Sequence, residues 1–151
     1  MKILVFSDSH GETRSMLDAV SAENPGLILH LGDHERDCLP VRQCYPSIPC
    51  RAVRGNCDRR SGELDDDEFV IAGKRIFMTH GHLYGVKTGL YLLKDAGLLR
   101  QADIILFGHT HRPYSEVTGG VYIINPGSVG RKTYAVLQIE HGTVEYEIKT
   151  M

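Results

Sequence analysis

Five short apolar runs constrain this chain most, because each breaks off into a cluster of Asp, His, Asn and Gly. Ile3–Phe6, Leu27–Leu31, Arg51–Arg54, Lys74–Thr79 and Asp103–Phe107 are rich in Ile, Leu, Val and Phe and are short. That combination predicts buried strands. The runs empty in turn into Asp8-Ser-His10, Gly32-Asp33, Gly55-Asn-Cys-Asp58, His80-Gly-His82 and Gly108-His-Thr-His111. In open α/β sheets, sites gather at the carboxyl ends of strands. One Asp-x-His or Gly-Asp is commonplace by itself. Five such stops, each at a strand end, point to a single shared site.

The intervening segments alternate in character. Glu12–Ala22 places Met16, Leu17, Ala19 and Val20 at helical spacing, and Asn24-Pro-Gly26 ends that helix. Glu35–Gln43 has weaker helical character, and Tyr45–Pro49 reads as loop. Arg59–Glu68 is polar and acidic without apolar periodicity, so an exposed loop is expected, with Asp65–Glu68 as a solvated acidic turn. Glu68–Ile71 and Lys74–Thr79 flank Ala72-Gly73 in a hairpin pattern. Val86–Leu99 predicts a helix with Leu90, Leu93, Ala96 and Leu99 on its core face. From Ser115 onward the chain alternates like hairpin strands, with turns at Gly119-Gly120 and His141-Gly142 and a tight polar turn at Asn125–Ser128. This order implies one domain over residues 1–151, with either a two-layer β core and helices outside or one mixed sheet.

Composition narrows the function classes. With 151 residues and 42% hydrophobic content, the chain can bury a core without staples. A net charge of −2 gives no general attraction to nucleic acid or anionic membrane, though it allows a local basic pocket. No apolar run approaches the ~20 residues of a membrane helix. Met1–Phe6 is too short for a signal-peptide core, so a cytoplasmic location with reduced thiols is expected. Cys38, Cys44, Cys50 and Cys57 form no C-x-x-C pair, which argues against a structural zinc site.

The strand-end residues make a coherent donor set. Asp8 and Asp33, His10, His80, His109 and His111, and the Asn56 amide are mixed nitrogen and oxygen ligands. Such a set suits Mn²⁺, Ni²⁺, Fe²⁺ or Zn²⁺ rather than Ca²⁺ or a thiolate site. It is too large for one tetrahedral ion, and two ions sharing a carboxylate would use it. Two-metal sites of this kind act on phosphoesters.

The ordered pattern Asp-x-His, Gly-Asp, Gly-Asn-x-Asp, His, Gly-His-x-His resembles the calcineurin-like metallophosphoesterase superfamily. The likeness runs from Asp8 to the Asn125–Ser128 turn, and Gly55-Asn-Cys-Asp58 is most similar to the small YfcE-like phosphodiesterase branch. The resemblance implies a four-layer αββα sandwich of two mixed β-sheets flanked by helices. It implies Asp8, His10 and His111 on one metal, Asn56, His80 and His109 on a second, and Asp33 between them. The cofactors implied are two divalent ions, Mn²⁺ foremost. The activity implied is phosphodiester hydrolysis by a metal-bridging hydroxide, with Asp33, Asn56 and His80 at the reacting centre. A phosphomonoesterase, a nuclease, or a non-catalytic scaffold like the retromer subunit are the alternatives. The implied partner is a small phosphoester, and a homodimer or higher oligomer is left open.

Cys57 departs from the family pattern, where many members carry the histidine that protonates the leaving oxygen. It is read here as a small packing residue without a catalytic role, with His82 as the alternative acid or a substrate contact. His30 is expected to be a packed core histidine, while His34 and His141 are expected in exposed loops. Asp58 is read as orienting nearby backbone or capping a turn. Arg54, Arg59 and Arg60 are candidates for a substrate anion, with plain surface charge expected for at least two.

Overall fold

The computed structural model describes residues Met1–Met151. Ten strands form two five-stranded sheets. The first holds β1 (Lys2–Phe6), β2 (Leu27–His30), β3 (Cys50–Ala52), β9 (Thr133–Glu140) and β10 (Thr143–Thr150), in the order β10-β9-β1-β2-β3. The second holds β4 (Asp66–Ile71), β5 (Lys74–Thr79), β6 (Ile104–Leu106), β7 (Pro113–Thr118) and β8 (Val121–Pro126), in the order β4-β5-β6-β8-β7. In each sheet three adjacent strands run parallel, β1-β2-β3 and β5-β6-β8; antiparallel strands flank the second trio on both sides and the first on one, which leaves β3 as an edge.

Side-chain alternation builds the layers. Along β1, Ile3 and Val5 face the second sheet and join Leu27, Leu29, Ile76, Met78, Ile104 and Leu106 in the inter-sheet core. Leu4 and Phe6 point the other way, onto α1 (Thr13–Glu23) and α2 (Cys38–Cys44). On the second sheet, Phe77, Ile105 and Ile123 face α3 (Tyr91–Leu99) through Leu93 and Ala96. A strand period of two therefore feeds two cores at once, and the result is an αββα sandwich. Full burial of a side chain such as Phe6 or Phe77 contributes roughly 2–3 kcal/mol. No helix is long and apolar enough to cross a membrane.

Three local expectations need correction. Strand β4 already begins at Asp66, and Asp65–Glu68 is not a solvated turn. Asp65 takes a two-pronged ion pair from Arg54, Asp67 takes one from Arg51, and Arg100 reaches Asp66 and Glu68. Arg51 also lies 4.4 Å from the Phe69 ring centre, so the acidic run ties the edge of one sheet to the edge of the other. The third apolar run forms strand only over Cys50–Ala52, after which Arg54 turns to Asp65. The helix expected over Val86–Leu99 starts only at Tyr91. Gly85 lies in the left-handed region with φ 60°, and Thr88 folds back on its carbonyl. The buried face of α3 is Leu93, Ala96 and Gly97, and Leu99 is 78% exposed.

Candidate metal centre

The parallel strands of both sheets end on the same rim, so the loops after β1, β2, β3, β5, β6 and β8 meet there. Each loop turns abruptly. Asp8, His10, Asp33, His34, His109 and His111 all have φ between 46° and 68°. Side chains rarely occupy this left-handed region, and Asp and His do so more readily than most. Six such residues at one rim are strain concentrated at a site.

Two of these loops press together at the Gly32–Gly55 contact. A Cβ on Gly55 would fall 2.2 Å from Asp33 Oδ1 and 2.5 Å from the Asp33 nitrogen. Only hydrogen fits there, and that fit brings the Asn56 loop onto Asp33. The Cys57 backbone N–H then donates to Asp33 Oδ1 at 2.9 Å. Burial alone would raise the Asp33 carboxyl, but this bond and the nearby His80 outweigh it and hold the group below its ordinary value.

Four donors, from Asp8, His10, Asp33 and His111, lie within 4.8 Å of one another. Asp8 is fully buried. Its Oδ2 accepts from Ser7 Oγ at 2.5 Å and from the His109 N–H at 3.1 Å. Its Oδ1 accepts no hydrogen bond, although His111 Nε2 lies 3.0 Å away. A buried carboxylate oxygen without a donor is costly unless a cation neutralises it.

The other half gathers on His80, which is also fully buried. His80 Nδ1–H donates to the Leu31 carbonyl at 2.7 Å, which leaves Nε2 as the bare lone pair. That Nε2 sits 3.2 Å from Asn56 Oδ1, 3.1 Å from His109 Nδ1 and 3.5 Å from Asp33 Oδ1. His80 Nε2 and Asn56 Oδ1 bring lone pairs together there, and His109 Nδ1 either joins them or donates to His80 Nε2 according to its tautomer. The Asp8 cluster fits a divalent ion, and Asp33 also lies beside the His80 group. Burial, then His80 and Lys87, push His109 down to about 4, so its ring is neutral and able to ligate at pH 7.

The surrounding network fixes the loops. Buried His30 accepts the Gly32 N–H on Nδ1 at 3.2 Å, so Nε2–H donates to Ser9 Oγ at 3.0 Å. Ser9 Oγ donates on to Asp37 at 2.7 Å, and Asp37 also takes the Gly11 N–H. His30 is thus the packed histidine expected, and it also links two donor loops. Asp58 accepts from the backbone N–H groups of His34, Glu35 and Gly55, as anticipated for a residue that orients backbone. His34 is exposed.

Cys57 corrects the sequence reading, because it is exposed rather than packed. It rides on a loop pinned at its backbone, which a composition argument cannot see. Desolvation first, then the Asp33 carboxylate, push its thiol up to about 11. The thiol is therefore protonated at neutral pH. Of the candidate arginines, Arg54 is taken by Asp65, while Arg59 and Arg60 have no carboxylate partner and line a groove with His34 and Cys57. His82 stands with its ring centre 5.3 Å from that of His80, and its buried Nδ1 has no hydrogen-bond partner. Desolvation and His80 lower its pKa.

Sequence reasoning missed the supporting role of Asn125 and Ser128. Buried Asn125 donates to the Gly108 carbonyl and to Thr110 Oγ1, and Ser128 Oγ donates to the Asp8 carbonyl. One turn thereby clamps the Asp8 loop and the His109–His111 loop together. The only available signal was a tight polar turn following a buried strand.

An αββα sandwich with an Asp/His/Asn centre at the carboxyl ends of its strands defines the class as an α/β protein with a donor cluster that could hold a metal ion. The chain belongs to the calcineurin-like phosphoesterase superfamily, whose domain model matches residues 1–142. It is 40% identical to the probable metallophosphoesterase YsnB of Bacillus subtilis, over 93% of this chain and 86% of that protein. It is 30% identical to the phosphodiesterase YfcE of Escherichia coli K12, over 85% and 79%. The solved structure of a predicted phosphoesterase from Streptococcus pneumoniae TIGR4 matches with a TM-score of 0.85 at 26% identity, covering 99% of this chain and 88% of that one. Zinc-complexed Vps29 from Entamoeba histolytica shares the fold, with a TM-score of 0.80 at 20% identity and 99% of both chains covered.

Proposed function

We propose that residues 1–151 form one metal-dependent phosphodiesterase domain. In this reading Asp8, His10 and His111 hold one divalent ion, Asn56, His80 and His109 hold a second, and Asp33 serves both. The observation that carries the reading is the unpartnered, buried Asp8 Oδ1, 4.0 Å from buried His80 Nε2, with Asp33 Oδ1 3.5 Å from the same His80 nitrogen. Mn²⁺ is the first choice of ion, with Ni²⁺, Fe²⁺ and Zn²⁺ next. When bound, such ions supply Lewis acidity toward phosphoryl oxygens and a nucleophile from water at neutral pH.

The chain's own residues do the rest. The Leu31 carbonyl fixes the His80 tautomer, and the Cys57 N–H fixes the Asp33 carboxylate, so the donors need little reorganisation. Asn56 contributes an uncharged oxygen, which keeps the centre electropositive toward a phosphate. The candidate proton donors are poorly matched to a leaving alkoxide: the Cys57 thiol is pushed up to about 11, and desolvation and His80 favour the unprotonated ring of His82. Good leaving groups are therefore favoured.

A metal-by-substrate panel tests this, with an aryl phosphodiester beside the matching monoester. Mn²⁺-dependent diester hydrolysis, falling at least about a hundredfold in Asp33→Asn and His109→Ala, is expected. A strong monoester preference would overturn the diesterase assignment. A folded, metal-loaded protein inert toward every ester would favour the scaffold reading.

A further inference from the structure

The cations of this chain divide by location. Of its 17 lysines and arginines, ten hold a carboxylate. One of the seven without a partner, Lys74, stands at the far end of β5, away from the centre. The other six are Arg36, Arg59, Arg60, Lys87, Arg112 and Arg131, and each lies in a loop that leaves the metal centre. Arg36 follows Asp33, Arg59 and Arg60 follow Asn56, Lys87 follows His80, and Arg112 adjoins His111. Arg131 sits in the turn after Ser128, whose neighbour Gly130 packs beside His10. A chain of net charge −2 thus keeps its unneutralised positive charge around one mouth.

Five of these six cations, all but Arg131, fall into two grooves of different character. Arg36, Arg59 and Arg60 line a cavity of about 350 Å³ with His34 and Cys57, and Cys57 is its one hydrophobic residue. Two acids also border it, but both are occupied or recessed. Asp58 spends its oxygens on three backbone N–H groups, and Glu35 is 7% exposed. Lys87 and Arg112 line a cavity of about 660 Å³ that Thr110 joins to the His109–His111 loop. Its hydrophobic lining residues are Val86, Leu90, Phe107 and Tyr114. An arginine trio on a polar wall suits a phosphate dianion. An apolar trough with two cations at its lip suits a ring system attached to a charged ester.

We infer that the substrate is a small phosphodiester with a second phosphate on one arm, seated on Arg36, Arg59 and Arg60, and a ring system on the other, seated against Leu90, Phe107 and Tyr114. This rests on the proposed diesterase centre between the two grooves. Nucleotide and non-nucleotide diesters of that form share the chemistry, and the test separates them.

Binding to the Mn²⁺-loaded protein is measured by calorimetry with phosphorothioate-linked diadenosine dinucleotides, with and without a 5′-phosphate. The 5′-phosphorylated form should bind at least about tenfold tighter at low salt. That ratio should fall as salt is added and collapse toward one in Arg59→Ala/Arg60→Ala, while Lys74→Ala keeps it. A phosphorylated aryl diester lacking a nucleoside should show the same ratio, with equal affinity if the ring system is unspecific and lower affinity if the trough selects a nucleobase. Equal affinity for the two dinucleotides, or a ratio untouched by the double substitution, would overturn the inference. Failure of the diesterase reading would show separately, as absent cleavage of a simple aryl diester.

Discussion

His30 makes the fold pH-sensitive in a calculable way. Its ring is fully buried, and burial lowers it from 6.5 to about 4, against partial opposition from Asp37 and Asp58. Above pH 6.5 the ring is neutral in both folded and unfolded chains, and this stabilising contribution is fully present. As pH falls below 6.5, the unfolded chain takes up a proton that the folded chain refuses, so stability is lost until the folded ring titrates near pH 4. At about 1.4 kcal/mol per pH unit, the full loss is about 3.5 kcal/mol, with roughly 2.5 kcal/mol gone by pH 4.5. His30→Asn keeps an acceptor for the Gly32 N–H but does not titrate. The assay is urea unfolding of wild type and variant from pH 7.5 to 4.5, in chelator so that metal-linked protons do not contribute. The variant should be less stable at pH 7.5, by about 1–2 kcal/mol for the lost Ser9 bond. The difference should move by about 2.5 kcal/mol in the variant's favour toward pH 4.5, so that the variant becomes the more stable protein there by about 0.5–1.5 kcal/mol. Parallel curves would refute the reasoning, since His30 would then titrate alike in both states.

Other substitutions report on the site directly. Gly55→Ala drives a methyl group into Asp33 and should lower stability by at least about 2 kcal/mol and weaken metal binding, whereas Gly62→Ala, which meets nothing, should stay within about 0.5 kcal/mol in the same thermal melts. Cys57→His places an imidazole on an exposed loop beside Asp33, so the dependence of hydrolysis rate on leaving-group pKa should flatten. Equal dependence in the two proteins would remove the argument that an acid is lacking there. Asp58→Ala frees three backbone N–H groups of the Asp33 and Asn56 loops and should weaken metal affinity by about 10–100-fold in a metal titration.

The sequence made the rim visible because its signals are local. A β-branched apolar run that stops at Asp or His marks both a strand and its functional end, and β1, β2, β5 and β6 were readable that way. Residues whose meaning depends on distant partners were not. Asp65–Glu68 looks solvated until Arg51, Arg54 and Arg100 arrive from other elements. Ser128 supports Asp8 across 120 positions of chain, and no window of sequence contains both. Cys57 has the composition of a packing residue but sits where the Asn56 loop bends outward. At α3 the apolar count misled, because Leu92, Leu98 and Leu99 are exposed and only Leu93, Ala96 and Gly97 face the sheet.

In the proposed centre the seven strand-end residues hold two metal ions with Asp33 between them. Anomalous diffraction from crystals grown with Mn²⁺ measures this directly. Two peaks ~3.5–4 Å apart are expected, one beside Asp8, His10 and His111, the other beside Asn56, His80 and His109, and both within reach of Asp33. A single peak at saturating Mn²⁺, or peaks away from Asp8 and His80, would contradict it.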